Sequence, residues 1–117
     1  MECKKTPGFY IWETKPLTFR LKRNGEPAEG ALDDYKDIIV TISQAIGNVT
    51  VEKTGADLDV DPVAVTVAAY LTQEETGRFS VGEALVQMNI LYEDSERDVT
   101  CQRTIEIWDN LHRRAME

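Results

Sequence analysis

Apolar and polar residues alternate with a period of two along most of this chain, the spacing of strands that bury one face. Leu17, Phe19 and Leu21 interleave with Thr18, Arg20 and Lys22 and predict a half-buried strand. Asn24-Gly25, followed by Pro27 and Gly30, ends it with a turn and loop signal. A second strand runs through Ile38, Val40 and Ile42, with Thr41 and Ser43 on its other face. Gly47-Asn48 turns the chain into Val49–Lys53, Thr54-Gly55 punctuates again, and Leu58 and Val60 then alternate with aspartates. Beyond Pro62, the series Val63, Val65, Val67, Ala69 and Leu71 is the longest strand signal, reinforced by its β-branched content.

The next segment breaks the alternation. Thr72-Gln73-Glu74-Glu75 has the form of a capping box, a Thr that accepts from the backbone with a Glu three residues later to reach back. Gly77 follows too soon for a long helix, so a single helical turn near residues 72–77 is expected. Strand signals resume from Ala84 to Tyr92, with Val86, Met88, Ile90 and Tyr92 on one face. Glu93–Glu96 makes a polar hairpin, and Val99–Trp108 returns. The tail from Asp109 to Glu117 either forms a short helix capped by Asp109 or frays. Six or seven short strands, turns every 8–12 residues and no helix long enough for a parallel crossover predict an all-β, antiparallel sandwich or barrel.

Length and charge narrow this picture. The 117 residues suit one domain spanning 1–117, with enough chain to bury a core without disulfide or metal staples. The apolar run Val63–Leu71 is far short of the ~20 residues of a membrane-spanning helix. Lys4 and Lys5 have no apolar run behind them, so no secretory signal is read and synthesis in the cytosol is expected. The net charge is −8, with residues 1–30 carrying six Lys/Arg against four Asp/Glu and the remainder seven against seventeen. An acidic body of this kind excludes nucleic acid and anionic membrane as partners, since both bind through clustered Lys and Arg. The weakly basic start (Lys15, Arg20, Lys22, Arg23) reads as the solvated face of a strand, or as a match for an acidic surface on a neighbouring copy.

Candidate chemistry is sparse. A nucleophile needs a base beside it, usually His, and the single histidine, His112, lies in the polar tail next to Arg113 and Arg114. No G-x-S-x-G elbow, phosphate-binding loop or H-E-x-x-H is present, so no catalytic residues, no metal ligands and no cofactor are expected. Asp57, Asp59 and Asp61 resemble the start of a calcium loop. That loop needs Gly at its sixth position and Glu at its twelfth, where this chain has Pro62 and Ala68. Cys3 and Cys101 match no zinc or redox spacing, and Cys101, in an apolar alternating run, reads as a small core residue. The aromatics Phe9, Tyr10, Trp12 and Trp108 are the candidate partner-binding residues, because large aromatics are enriched at interfaces. Alternation makes either Phe9 with Ile11, or Tyr10 with Trp12, the outward pair.

The run Leu71-Thr-Gln-Glu-Glu-Thr-Gly-Arg-Phe79, with Gly82 and Val86-Gln87-Met88-Asn89-Ile90 after it, resembles a segment of small proteins from tail modules of phages and prophages of Gram-positive bacteria. Thr6-Pro7 resembles the dipeptide before that family's first strand, Ile39–Gln44 its second strand, and Val51-Glu52-Lys53 a further apolar-x-Lys strand. The likeness covers most of the chain. It departs at Tyr10–Gly30, which looks like an insertion, and at Gly77, where the family has an apolar residue. The resemblance implies an immunoglobulin-like β-sandwich similar to the N-terminal domain of phage baseplate proteins. It further implies a non-catalytic structural or adaptor role in a phage-like tail or baseplate, with other virion proteins or a second copy as partners and the virion as destination. Leu71 and Phe79 are expected to anchor the capped turn in the core, and Gln87 either to bond backbone at a strand edge or to incur the cost of burial. The alternative is a carbohydrate- or host-surface-binding sandwich module that presents Trp12 or Trp108 to sugars.

Overall fold

Alternation of the kind seen in Leu17, Phe19 and Leu21 forces a sheet to find cover for one face, and here two sheets cover each other. The computed structural model describes residues 2–3, 8–94 and 96–111; the motif Thr6-Pro7, His112 and the tail beyond it lie outside these residues, as do the side chains of Cys3 and Cys101. The chain forms β1 (Glu2–Cys3), β2 (Gly8–Tyr10), β3 (Lys15–Arg23), β4 (Glu26–Pro27), β5 (Tyr35–Gln44) and β6 (Val49–Thr54). After a 3₁₀ turn at Gly55–Asp57 come β7 (Leu58–Asp61), β8 (Thr66–Leu71), the helical turn α1 (Gln73–Thr76), β9 (Gly82–Tyr92) and β10 (Arg97–Trp108). The first sheet has the order β1-β3-β8-β7, with β4 folded back on β3, and the second the order β2-β10-β9-β5-β6. The described residues are all-β apart from these two short turns.

The inward residues follow the sequence pattern. Leu17, Phe19 and Leu21 of β3 and Val67, Ala69 and Leu71 of β8 are buried from the first sheet. Ile38, Val40 and Ile42 of β5, Val86, Met88 and Ile90 of β9, and Ile105 and Ile107 of β10 are buried from the second. All of them join one hydrophobic cluster, against which Leu58 and Val60 of β7 also pack. Residues of this kind each contribute about 1.5–3 kcal/mol when removed from water.

Three expectations need correction. First, not every pair is antiparallel: β2 runs parallel to β10, with Phe9 opposite Ile107 and Tyr10 opposite Trp108. The N-terminal segment, with β1 paired to β3 and β2 to β10, contributes to both sheets. Second, the longest alternating run does not begin its strand at Val63. Asp61 Oδ1 accepts from the Val63 and Ala64 N–H groups and closes a turn there, Val63 is 91 % exposed, and β8 starts only at Thr66. Val65, at φ +55°, holds the left-handed conformation that a β-branched residue adopts only under strain. Third, Gln87 lies on β9, which is central between β10 and β5, so it is not at a sheet edge.

Candidate functional site: an aromatic end of the second sheet

The surface that stands out is built by the segment 8–13 laid across the end of the second sheet. Phe9 is fully buried and meets Phe79 edge-on, with ring centroids 5.5 Å apart at 70°. Ile11 is buried beside it, so Phe9 with Ile11 is the inward pair. Tyr10 faces solvent at 48 % exposure and Trp108 at 37 %, and their rings lie 5.2 Å apart, tilted by 49°. Parallel pairing places these two residues directly opposite each other. Of the four predicted aromatics, then, the structure brings Tyr10 and Trp108 together on the surface and withdraws Phe9 into the core. Trp12 leaves the strand pattern altogether: its φ is +65° and its half-buried indole lies over Gly77.

Several local bonds hold this segment. The Ile11 N–H donates to the Trp108 carbonyl at 3.1 Å, extending the parallel ladder by one bond. Asn110 Nδ2 donates to the Ile11 carbonyl at 3.0 Å. Glu13 Oε1 accepts from the Tyr10 N–H at 2.9 Å, closing the turn in which Trp12 sits. Gly8 makes the parallel approach possible. A Cβ there would stand 1.9 Å from the Glu106 carbonyl oxygen, and its φ of +128° is one that side chains rarely adopt.

The turn after β8 is the clamp. Thr72 caps α1 by accepting from the Glu75 N–H, and Glu75 Oε1 accepts in return from the Thr72 N–H at 3.0 Å, the expected capping box. Glu75 Oε1 also accepts from Lys53 Nζ at 2.6 Å, an ion pair between α1 and strand β6. Burial alone would raise the Glu75 carboxyl, but the bonds from Lys53 and Thr72 outweigh it and hold its pKa below the ordinary carboxylate value. Next in the chain, the buried Thr76 hydroxyl donates to the Glu13 carbonyl at 2.7 Å and ties α1 to segment 8–13. Gly77 leaves room for the Trp12 indole, where a Cβ would come within 2.5 Å. Its own φ is −68°, so space rather than backbone conformation requires glycine there. Trp12 and Gly77, 65 residues apart in the sequence, therefore meet in one contact.

Sequence reasoning missed Gln44. Buried at the end of β5, it donates from Nε2 to the Ser80 and Glu83 carbonyls at 2.8 and 3.3 Å, and accepts from the Ser80 N–H at 2.7 Å. It thereby stitches the stretch after α1 to the second sheet. A polar residue closing an otherwise apolar alternation, at an inward position, was the available signal. Asn89, also buried, is covered from outside by Arg97, whose Nε and Nη2 both donate to its Oδ1.

The remaining candidates take ordinary places. Asp57 belongs to the 3₁₀ turn, so only Asp59 and Asp61 share a strand face, and Asp61 uses its Oδ1 in the turn already described. Among the described residues no group of three His, Cys, Asp or Glu is placed to hold a metal ion. A groove of about 480 Å³ between β5 and β7 is lined by Tyr35, Lys36, Asp37 and Asp59 among others. No helix among the described residues is long and apolar enough to cross a membrane. In comparisons with known proteins, the chain matches no family model and no curated protein.

Proposed function

We propose that this chain is a non-catalytic adaptor domain of a phage-like tail or baseplate, with an immunoglobulin-like sandwich fold, that binds a neighbouring protein through Tyr10 and Trp108. The observation that carries the binding reading is the solvent-facing contact of these two aromatic rings, side by side on paired strands. Aromatics fixed in place lose little side-chain entropy on association and bury large areas, which is why they dominate interface energetics. Nearby, Val81 adds an exposed apolar residue just before β9.

The strand order supports the fold part of this reading. Immunoglobulin domains join their first, second, fifth and fourth strands in one sheet and their third, sixth and seventh in the other. The order β1-β3-β8-β7 beside β10-β9-β5, with β6 as an additional strand next to β5, follows the same plan. The free sheet edges favour the aromatic patch over edge-to-edge pairing. Edge strand β6 points the charged Lys53 inward, and edge strand β7 carries Asp59 and Asp61 and stops just before Pro62. Both are devices that discourage strand addition.

Binding to the proteins encoded beside this chain is the direct test. Tyr10→Ala and Trp108→Ala should each weaken capture of a tail protein by tenfold or more, roughly the effect of truncating an interface anchor, with the melting temperature nearly unchanged. Unaltered capture by the double variant would remove the patch from the function. Glycan binding lost in the same variants would replace the protein partner with a carbohydrate.

A further inference from the structure

The outer face of the first sheet carries opposite charges on either side of a floor of modest side chains. Register places Arg20 of β3 opposite Thr66 of β8, and Thr66 in turn opposite Asp61 of β7. One row further, Thr18 faces Ala68 and Ala68 faces Asp59. Arg20, Asp59 and Asp61 are exposed, while Leu17, Phe19 and Val67 fill the inner face behind them. Lys22 continues the basic column on β3. Neither Arg20 nor Asp59 has an ion-pair partner among the described residues. The basic and acidic columns are two strand spacings apart, about 10 Å, and Tyr70, 55 % exposed, stands on β8 between them at the end of the floor.

This pattern is complementary to itself under one symmetry operation. A two-fold axis running along β8 in the plane between two facing sheets carries the β3 of one copy over the β7 of the other. Arg20 of each copy then lies across from Asp61 of its partner in the same row, and Tyr70 meets Tyr70 beside the axis. An axis across the strands would instead set each charged column over its own like. We propose that this face is an isologous contact between two copies of the chain, aligned along β8, with Arg20–Asp61 pairs formed twice. Thr66 and Ala68 let the two sheets approach, and the rotation keeps their strands nearly parallel, as aligned sheet packing requires. The occupant is a second copy because one surface supplies both partners of each pair. The proposal rests on the adaptor reading only in treating the chain as an assembly protein; it uses a different face.

Sedimentation equilibrium of the full chain tests it. The wild type should dimerise, and Arg20→Glu or Asp61→Lys, each disrupting both symmetric pairs, should weaken the dimer about tenfold or more. Mixing the two variants should restore association. The carboxylate introduced at position 20 of one copy then meets the ammonium introduced at position 61 of the other, and the second pair keeps its native Arg20 and Asp61. Asp61→Asn, which keeps an acceptor for the Val63 and Ala64 N–H groups, should weaken the dimer without lowering the melting temperature and so separates contact from folding. A wild type that stays monomeric at millimolar concentration, single variants that dimerise normally, or a mixture that remains monomeric would each overturn the proposal. Tyr10→Ala should leave the dimer intact, so failure of this contact and failure of the partner patch are read separately.

Discussion

Trp12 and Gly77 show how far a single pair of residues can depart from a strand pattern. The indole of Trp12 occupies the volume that a Cβ at residue 77 would fill, with the closest approach at 2.5 Å. Gly77→Ala should therefore destabilise the domain by about 1–3 kcal/mol, the usual range for overpacking, despite the higher helix propensity of alanine. In Trp12→Ala the same Gly77→Ala change should cost far less, since its opponent is gone. A double-mutant cycle by urea denaturation measures this coupling, and simple additivity of the two effects would show that the contact does not matter. Neither member signals the other in the sequence: a glycine after a helical turn reads as a conformational stop, and its negative φ reveals a steric role only once the indole is in place.

The capped turn α1 is the element whose sequence signature was most legible, with Thr72 and Glu75 matching the box and Leu71 and Phe79 both buried at its ends. The sequence did not show that the same Glu75 carboxylate also pairs with Lys53, 22 residues upstream on β6. Because the folded pKa of Glu75 is depressed, the unfolded chain binds its proton more readily. Its contribution is therefore complete above the ordinary value of 4.5 and is lost as pH falls through the lower folded value. Glu75→Gln should reduce stability at neutral pH, and the difference from wild type should shrink progressively below that ordinary value. Urea midpoints of both proteins across this range check the claim; a constant difference would mean that charge is not what Glu75 contributes. The aspartates of β7 illustrate the converse. Alternation put three carboxylates on one face, but the 3₁₀ turn removed Asp57 from it.

For the molecule as a whole, the decisive event is the crossing of the N-terminal segment from one sheet to the other. Gly8 permits it, since nothing larger fits against the Glu106 carbonyl. Gly8→Ala should cost about 3 kcal/mol or more, combining overpacking with an unfavourable φ. It should also release β2, so Tyr10 would leave Trp108 and Phe9 would lose its cover. A Trp108 fluorescence spectrum unchanged by this substitution, together with wild-type stability, would contradict that account. Beyond β2 the chain turns at residues 11–13 and enters the first sheet as β3, so Tyr10 is left at the surface proposed for binding.

What the sequence determined by itself is whatever depends on local periodicity and turn chemistry. The alternation of Leu17-Phe19-Leu21 and Val86-Met88-Ile90, the Asn24-Gly25 and Gly47-Asn48 turns with their left-handed residues, and the Thr72–Glu75 cap all follow from interactions between near neighbours. The tertiary structure decided which of four aromatics face out, which glycines are there for space, where Gln44 finds its backbone partners, and that the short N-terminal strand β2 meets the last strand β10 in parallel. These outcomes depend on residues 36 to 99 positions apart being brought within a few ångströms, and no local pattern encodes which distant group will arrive. The outer faces follow the same division: Arg20 and Asp61 read separately as solvated charges, and only the shared register through Thr66 makes them two halves of one surface.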